Sequence, residues 1–131
     1  MHKYPGMPRK KKVNLSDIVA ASVVKGMKER KAKKIVILDM QKVNSPICDK
    51  FIICHGTSKI HVEAIADSIQ QEVKKATGEN AWHAEGFENA EWVLIDFVDV
   101  VAHIFQESAR NFYGLEKLWA DAITSEEDTD E

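Results

Sequence analysis

The sequence predicts a single α/β domain built on a mixed five-stranded sheet that is flanked by helices. Residues 92–95 and 100–105 are short apolar runs rich in β-branched and aromatic side chains. They lack the spacing of an amphipathic helix, which is typical of strands covered on both faces. The connection between them is of hairpin length, so we expect antiparallel strands with Asp96 and Asp99 at the exposed tip.

The rest of the chain supplies the remaining strands and the helices. Apolar residues recur with helical period after a cap at Asn14 and again after Thr57 or Ser58, and Gly78 closes the second helix. Short apolar or loosely alternating runs predict strands at 35–38, 51–54 and 81–87. A largely apolar stripe from Ala109 to Trp119 predicts one final helix, which Gly114 weakens. The predicted order is α, β, β, α, β, β, β, α.

Composition is that of a globular protein. The chain has 131 residues, of which 44% are hydrophobic and 30% charged. It contains no run approaching the roughly 18 apolar residues of a membrane span, so we expect no membrane association and a cytoplasmic location. We assign residues 1–12 to a disordered basic arm, 13–122 to the folded domain and 123–131 to a disordered acidic tail. The net charge of −3 gives no overall nucleic-acid signature, and we favour a solvated arm over one that contacts RNA.

No catalytic or metal-binding arrangement stands out. The turn Gly56-Thr57-Ser58 resembles an anion-binding loop, but ordinary helix capping explains it better. Two-metal nucleotidyl transfer would need carboxylates converging near that turn, and nothing in the sequence brings the strand-ending aspartates together. These are Asp39, Asp96 and Asp99.

A zinc site built from Cys48, Cys54, His55 and His61 has the wrong spacing. The two cysteines are too far apart along an extended stretch to bridge. We therefore expect free thiols, no cofactor and no metal. Trp92 opens the central strand beside acidic residues, and the sequence leaves open whether it is a core residue or the anchor of a protein interface.

Four segments together resemble the ribosomal silencing factor family, also called Iojap. They are Asp49-x-Phe51-Ile52-Ile53-Cys54-x-Gly56-Thr57-Ser58, then Glu63-Ala64-Ile65-Ala66-Asp67, then Trp92-Val93-Leu94-Ile95-Asp96-Phe97-x-Asp99-Val100-Val101-x-His103-Ile104-Phe105, and then Arg110-x-x-Tyr113-x-Leu115-Glu116-x-Leu118-Trp119. The match runs from about Leu15 to Trp119.

The resemblance implies a fold similar to the nucleotidyltransferase core without its catalytic carboxylates. It also implies a translational repressor that is not an enzyme. Such a protein binds the large ribosomal subunit through ribosomal protein uL-fourteen and prevents joining with the small subunit, and the family is often a homodimer. Carried onto this chain, the partner-binding residues are Trp92, Asp96, Asp99, His103, Tyr113 and Glu116.

The chain departs from the family pattern in two places. Val98 stands at the hairpin corner where the family usually has glycine, and His55 stands where a small hydroxyl residue is commoner. Two alternatives to the repressor stay open: a residual nucleotide-binding or nucleotidyltransferase-like enzyme that uses the Gly56 turn, and a homodimeric interaction module with another partner.

Overall fold

The computed structural model describes residues 14–41 and 48–127. The predicted basic arm, residues 1–12, lies outside this range, as do residues 128–131 of the predicted acidic tail. The helices are α1 (Leu15–Glu29), α2 (Lys59–Thr77), α3 (Glu107–Tyr113) and α4 (Leu115–Leu118), and the strands are β1 (Lys33–Asp39), β2 (Lys50–Gly56), β3 (His83–Glu85), β4 (Trp92–Asp96), β5 (Val100–Gln106) and β6 (Ile123–Glu126).

The strands form one mixed sheet in the order β3-β4-β5-β2-β1-β6. Strands β2 and β5 are parallel, and every other neighbouring pair is antiparallel. The α/β class is therefore confirmed, and so is the β4–β5 hairpin, in which Trp92 pairs with Phe105 and Asp96 with Val101. No helix among the described residues is long and apolar enough to cross a membrane.

Within the described residues the sheet has six strands, where the sequence predicts five. The additional strand, β6, uses residues 123–126, which were expected from the sequence to belong to the acidic tail. It pairs antiparallel with β1, and Glu127 beyond it accepts a hydrogen bond from Lys28 Nζ at 3.2 Å. Its polar, acidic sequence gave no sign of this strand, because backbone pairing to an open sheet edge does not depend on side-chain burial.

One face of the sheet is covered by α1 and α2, whose side chains form a core with Ile52, Ile95 and Ile104. The caps are as predicted. Asn14 accepts a hydrogen bond from the amide of Ser16 at 2.9 Å, Ser58 accepts one from the amide of His61 at 3.1 Å, and Gly78 ends α2 with a φ of 78°. These local signals fix where α1 and α2 begin and where α2 ends.

The opposite face is covered by α3, α4 and the segment that follows them, over a second core that includes Leu38, Phe51 and Phe105. The single final helix predicted from the sequence is wrong. Gly114 adopts a φ of 58°, a left-handed conformation that closes α3 and separates it from α4. The two short helices leave part of this face open, and the candidate site lies there.

Candidate protein-binding surface

The alternation of β4 decides which of its side chains reach the open face. Val93 and Ile95 point into the core under α1 and α2 and are fully buried. Because successive side chains of a strand point to opposite faces, Trp92, Leu94 and Asp96 all lie on the other face. All three are partly exposed. The strand therefore presents a row of indole, leucine and carboxylate on the open face, and sequence reasoning missed Leu94 as its middle member.

Aromatic rings gather at one end of this row. The Trp92 ring centroid lies 5.0 Å from that of Phe105, which is fully buried, and 4.8 Å from that of Tyr113 at the end of α3. Phe112 meets Tyr113 edge to face at 5.1 Å and is 81% exposed. Trp92 thus rests on the core with one side while another part of the ring reaches solvent. The core role left open by the sequence therefore applies to Trp92, and the role of interface anchor stays a prediction.

Phe112 was missed by sequence reasoning as a surface residue. The periodic stripe of the predicted final helix placed it on the packed side, together with Leu118, which is 72% exposed. Both face solvent, and the glycine at position 114, between the two short helices, was the one available signal in the sequence. The aromatic end of the row is consequently larger than the sequence indicates.

His103 lies beside the middle of the row, on the same face of the sheet. It pairs with Leu94 across the β4–β5 ladder and is only 3% exposed. Its Nδ1 accepts a hydrogen bond from Trp92 Nε1 at 3.0 Å. Burial lowers the pKa of His103 to about 4, so the ring is neutral near pH 7. Of the six predicted residues, it is the one that the fold hides.

The acidic corner lies at the other end of the row. The amide of Val98 donates to Asp96 Oδ1 at 2.7 Å, and the carbonyl oxygen of Asp99 accepts from the amides of Asp49 and Lys50 at 2.8 and 3.1 Å. These bonds tie the hairpin tip to the start of β2 and bring Asp49 to the corner. Sequence reasoning did not include Asp49 in the site, since only the parallel pairing of β2 with β5 places it there.

The charge of this corner acts on the neighbouring thiol. Burial raises the pKa of Cys48 to about 12, and the negative charges of Asp49, Asp96 and Asp99 act in the same direction. Cys48 and Cys54 are both buried and free. The corner is therefore a concentrated patch of negative charge beside an unreactive thiol.

Glu116 is held by Arg110 rather than free on the surface. Arg110 Nε and one terminal nitrogen donate to the two Glu116 carboxylate oxygens at 2.9 and 3.1 Å. The other terminal nitrogen contacts Lys34 O at 2.8 Å and His55 Nδ1 at 2.9 Å. Since Arg110 is only 7% exposed, this network fastens α3 and α4 to the sheet. The sequence gave no sign that Arg110 is buried.

The aspartates and the Gly56 turn lie at opposite ends of the sheet. Asp39 pairs with Lys50, and Lys50 pairs with Val100, so Asp39 lies at the same end as the acidic corner. Gly56 pairs with Gln106 at the far end of β2 and β5. Within residues 14–41 and 48–127 no group of His, Cys, Asp and Glu side chains is arranged to hold a metal ion. The carboxylates therefore do not converge on the turn that the enzyme alternative requires.

Comparison with known proteins identifies the family. The family model described as ribosomal silencing factor during starvation matches residues 14–131. The chain belongs to the ribosomal silencing factor family. This membership confirms the resemblance seen in the sequence and associates the chain with regulation of translation.

Individual members of the ribosomal silencing factor family agree with this result. The ribosomal silencing factor RsfS of Halalkalibacterium halodurans is 45% identical over 79% of this chain and 86% of its own length. A crystal structure of a Chromobacterium violaceum protein superposes with a TM-score of 0.75 at 32% identity, covering 82% of this chain and 88% of that protein.

A more distant relative is the mouse protein named mitochondrial assembly of ribosomal large subunit protein 1. It is 33% identical over 54% of this chain, and the match spans 32% of the mouse protein. This silencing factor therefore shares only part of that longer protein.

Proposed function

We propose that this silencing factor is a non-enzymatic repressor that binds the large ribosomal subunit through ribosomal protein uL-fourteen and sterically prevents the small subunit from joining. The proposal rests on one observation: a row of aromatic and acidic side chains that the helices leave open on one face of the sheet. The name of the mouse relative, which refers to the large ribosomal subunit, supports this choice of subunit.

The row combines the two features that a basic protein partner would recognise. Trp92 and Tyr113 offer large, partly buried rings of the kind that dominate binding energy at protein interfaces. Asp49, Asp96 and Asp99 supply negative charge at the other end, which attracts a basic surface and orients it. Trp92 and Leu94 pack against a buried core that includes Phe51 and Phe105.

His103 and Glu116 support this surface through contacts with its neighbouring residues. His103 is buried and accepts the hydrogen bond from Trp92, and Glu116 holds α3 and α4 together through Arg110. We further propose that the chain acts in the cytoplasm and forms a homodimer, as family membership suggests. Light scattering after size-exclusion chromatography measures the dimer directly, and a monomer at every concentration would contradict it.

Sedimentation of purified ribosomal subunits tests the proposed function. The full-length chain is mixed with large and small subunits, and the fractions are separated on a sucrose gradient. We expect the chain to migrate with the large subunit and the fraction of joined ribosomes to fall. Unchanged joining at saturating protein would overturn the proposal.

Substitution of Trp92 tests the surface itself. Loss of a hot-spot ring costs roughly 2 to 4 kcal/mol of binding free energy, so Trp92→Ala should weaken binding about 30- to 1,000-fold. Ile60→Ala is the matched control, because Ile60 is 77% exposed on α2, in the layer on the other side of the sheet. Circular dichroism shows whether both variants fold. Equal binding by a folded Trp92→Ala variant would place the interface elsewhere.

A further inference from the structure

We infer that His103 is a positioning residue that holds the indole of Trp92 in its binding orientation and does not itself touch the partner. This inference rests on the proposed function. It assigns to His103 a role different from the direct contact that the family resemblance implies.

The packing of His103 excludes a direct contact. The residue lies in β5 between Leu94 of β4 and Ile53 of β2, in the interior of the sheet. Its ring meets that of Phe51 edge to face, with centroids 4.7 Å apart, and it is 3% exposed. A partner that docks on the open face meets Trp92 and Leu94 first.

The hydrogen bond from Trp92 determines the tautomer of His103. Indole Nε1 carries a hydrogen and only donates, so His103 Nδ1, at 3.0 Å, must be the acceptor. The proton of the neutral ring then sits on Nε2. Burial favours this neutral form, since it lowers the pKa of His103 to about 4. The acceptor is therefore present throughout the neutral pH range.

The other nitrogen of the ring shows what the histidine is for. His103 Nε2 is buried and has no hydrogen-bond partner among the described residues. An unpartnered buried N–H destabilises a fold, so an apolar ring would suit a position that served packing alone. The benefit of histidine lies at Nδ1, which fixes the rotation of an indole that is only half-buried.

Three substitutions separate this role from simple packing. His103→Phe keeps a ring but removes the acceptor. His103→Asn places an oxygen close to the position of Nδ1, whereas the side-chain amide of His103→Gln reaches toward the position of Nε2. We expect the Phe and Gln variants to bind the large subunit at least about tenfold more weakly, and Asn to recover part of the loss.

Nuclear magnetic resonance supplies a readout that packing alone would not move. The indole N–H signal of Trp92 in the ¹⁵N-labelled chain is assigned by its loss in Trp92→Phe. We expect slow exchange with water in the wild type, fast exchange in His103→Phe and His103→Gln, and intermediate exchange in His103→Asn. An indole signal that is the same in all four proteins would overturn the inference.

The binding results distinguish this inference from the proposed function. If the wild type binds and a folded His103→Phe variant binds equally well, the positioning role is overturned and the proposed function stands. If His103→Phe does not fold, full binding by His103→Gln overturns the positioning role in the same way. If the wild type itself does not bind the large subunit, the proposed function fails, and the role of the bond in binding fails with it.

Discussion

Val98 adopts a backbone conformation that β-branched residues rarely occupy. Its φ is 78°, at the corner of the β4–β5 hairpin, and its side chain is 59% exposed. The conformation is held by the bond from its amide to Asp96 and by the pairing of the Phe97 amide with Val100 O at 2.9 Å. This chain therefore carries local strain beside its acidic corner.

Val98→Gly should stabilise the protein. Relief of the left-handed conformation raises the free energy of unfolding by about 1 to 2 kcal/mol. The greater freedom of glycine in the unfolded chain lowers it by roughly 0.5 to 1 kcal/mol. We expect a net gain of about 1 kcal/mol, seen as a midpoint of thermal unfolding a few degrees higher. The matched control is Gly78→Val, because Gly78 has the same φ of 78° and open space around its Cβ position. A rise in both variants, or a fall in both, would contradict the strain argument.

The crossing of α1 and α2 depends on a single glycine. A Cβ built on Gly26 would lie 2.6 Å from the Cα of Ile69 and 2.8 Å from its backbone nitrogen. A buried hydrogen bond joins the helices at the same place, since Ser68 Oγ donates to Gly26 O at 2.9 Å. The two helices therefore pack at a distance that only glycine permits.

In Gly26→Ala, helix propensity and packing change stability in opposite directions. Alanine inside a helix is favoured over glycine by about 1 kcal/mol. The clash is with backbone atoms, which cannot move aside without separating the helices, and overpacking of this kind costs roughly 1 to 3 kcal/mol or more. We expect a net loss, measured by urea unfolding. Ala21→Gly on the exposed side of α1 is the control and measures helix propensity alone. A Gly26→Ala variant that is more stable than the wild type would show that the helices have room for a Cβ at this crossing.

At the scale of the whole molecule, negative charge is concentrated at one end of the sheet. Asp39, Asp49, Asp96 and Asp99 all lie there, although the net charge of the chain is only −3. A local concentration of one sign steers an oppositely charged partner more strongly than net charge does. We therefore expect a basic partner to approach the proposed binding surface from this end first.

Reversal of one charge tests this steering. Asp99→Lys should slow association with the large subunit about tenfold at low ionic strength and weaken the dependence of the rate on salt. Asp67→Lys changes the net charge equally, on the exposed side of α2 and away from the open face. Stopped-flow measurements at low and high salt compare the two. An equal effect of both variants would mean that only total charge matters.

Several features followed from the sequence because their causes are local. The caps at Asn14, Ser58 and Gly78 depend on residues one turn away, and the β4–β5 hairpin depends on two adjacent apolar runs. The four segments that resemble the ribosomal silencing factor family span most of the chain. They indicated the family without any structure, and the apolar runs predicted the fold class. The exposed character of Asp99 followed in the same way from its place at a short turn.

Other features were decided only by tertiary structure, because they depend on segments far apart in the chain. The pairing of β6 with β1 added a strand that the acidic sequence concealed. The packing of α3 left Phe112 exposed, and the β2–β5 pairing brought Asp49 to the acidic corner. The burial of His103 and its bond to Trp92 likewise depend on how β4, β5 and β2 pair. Sequence alone indicated most of the helices and strands, and long-range packing decided which of their side chains lie exposed on the open face.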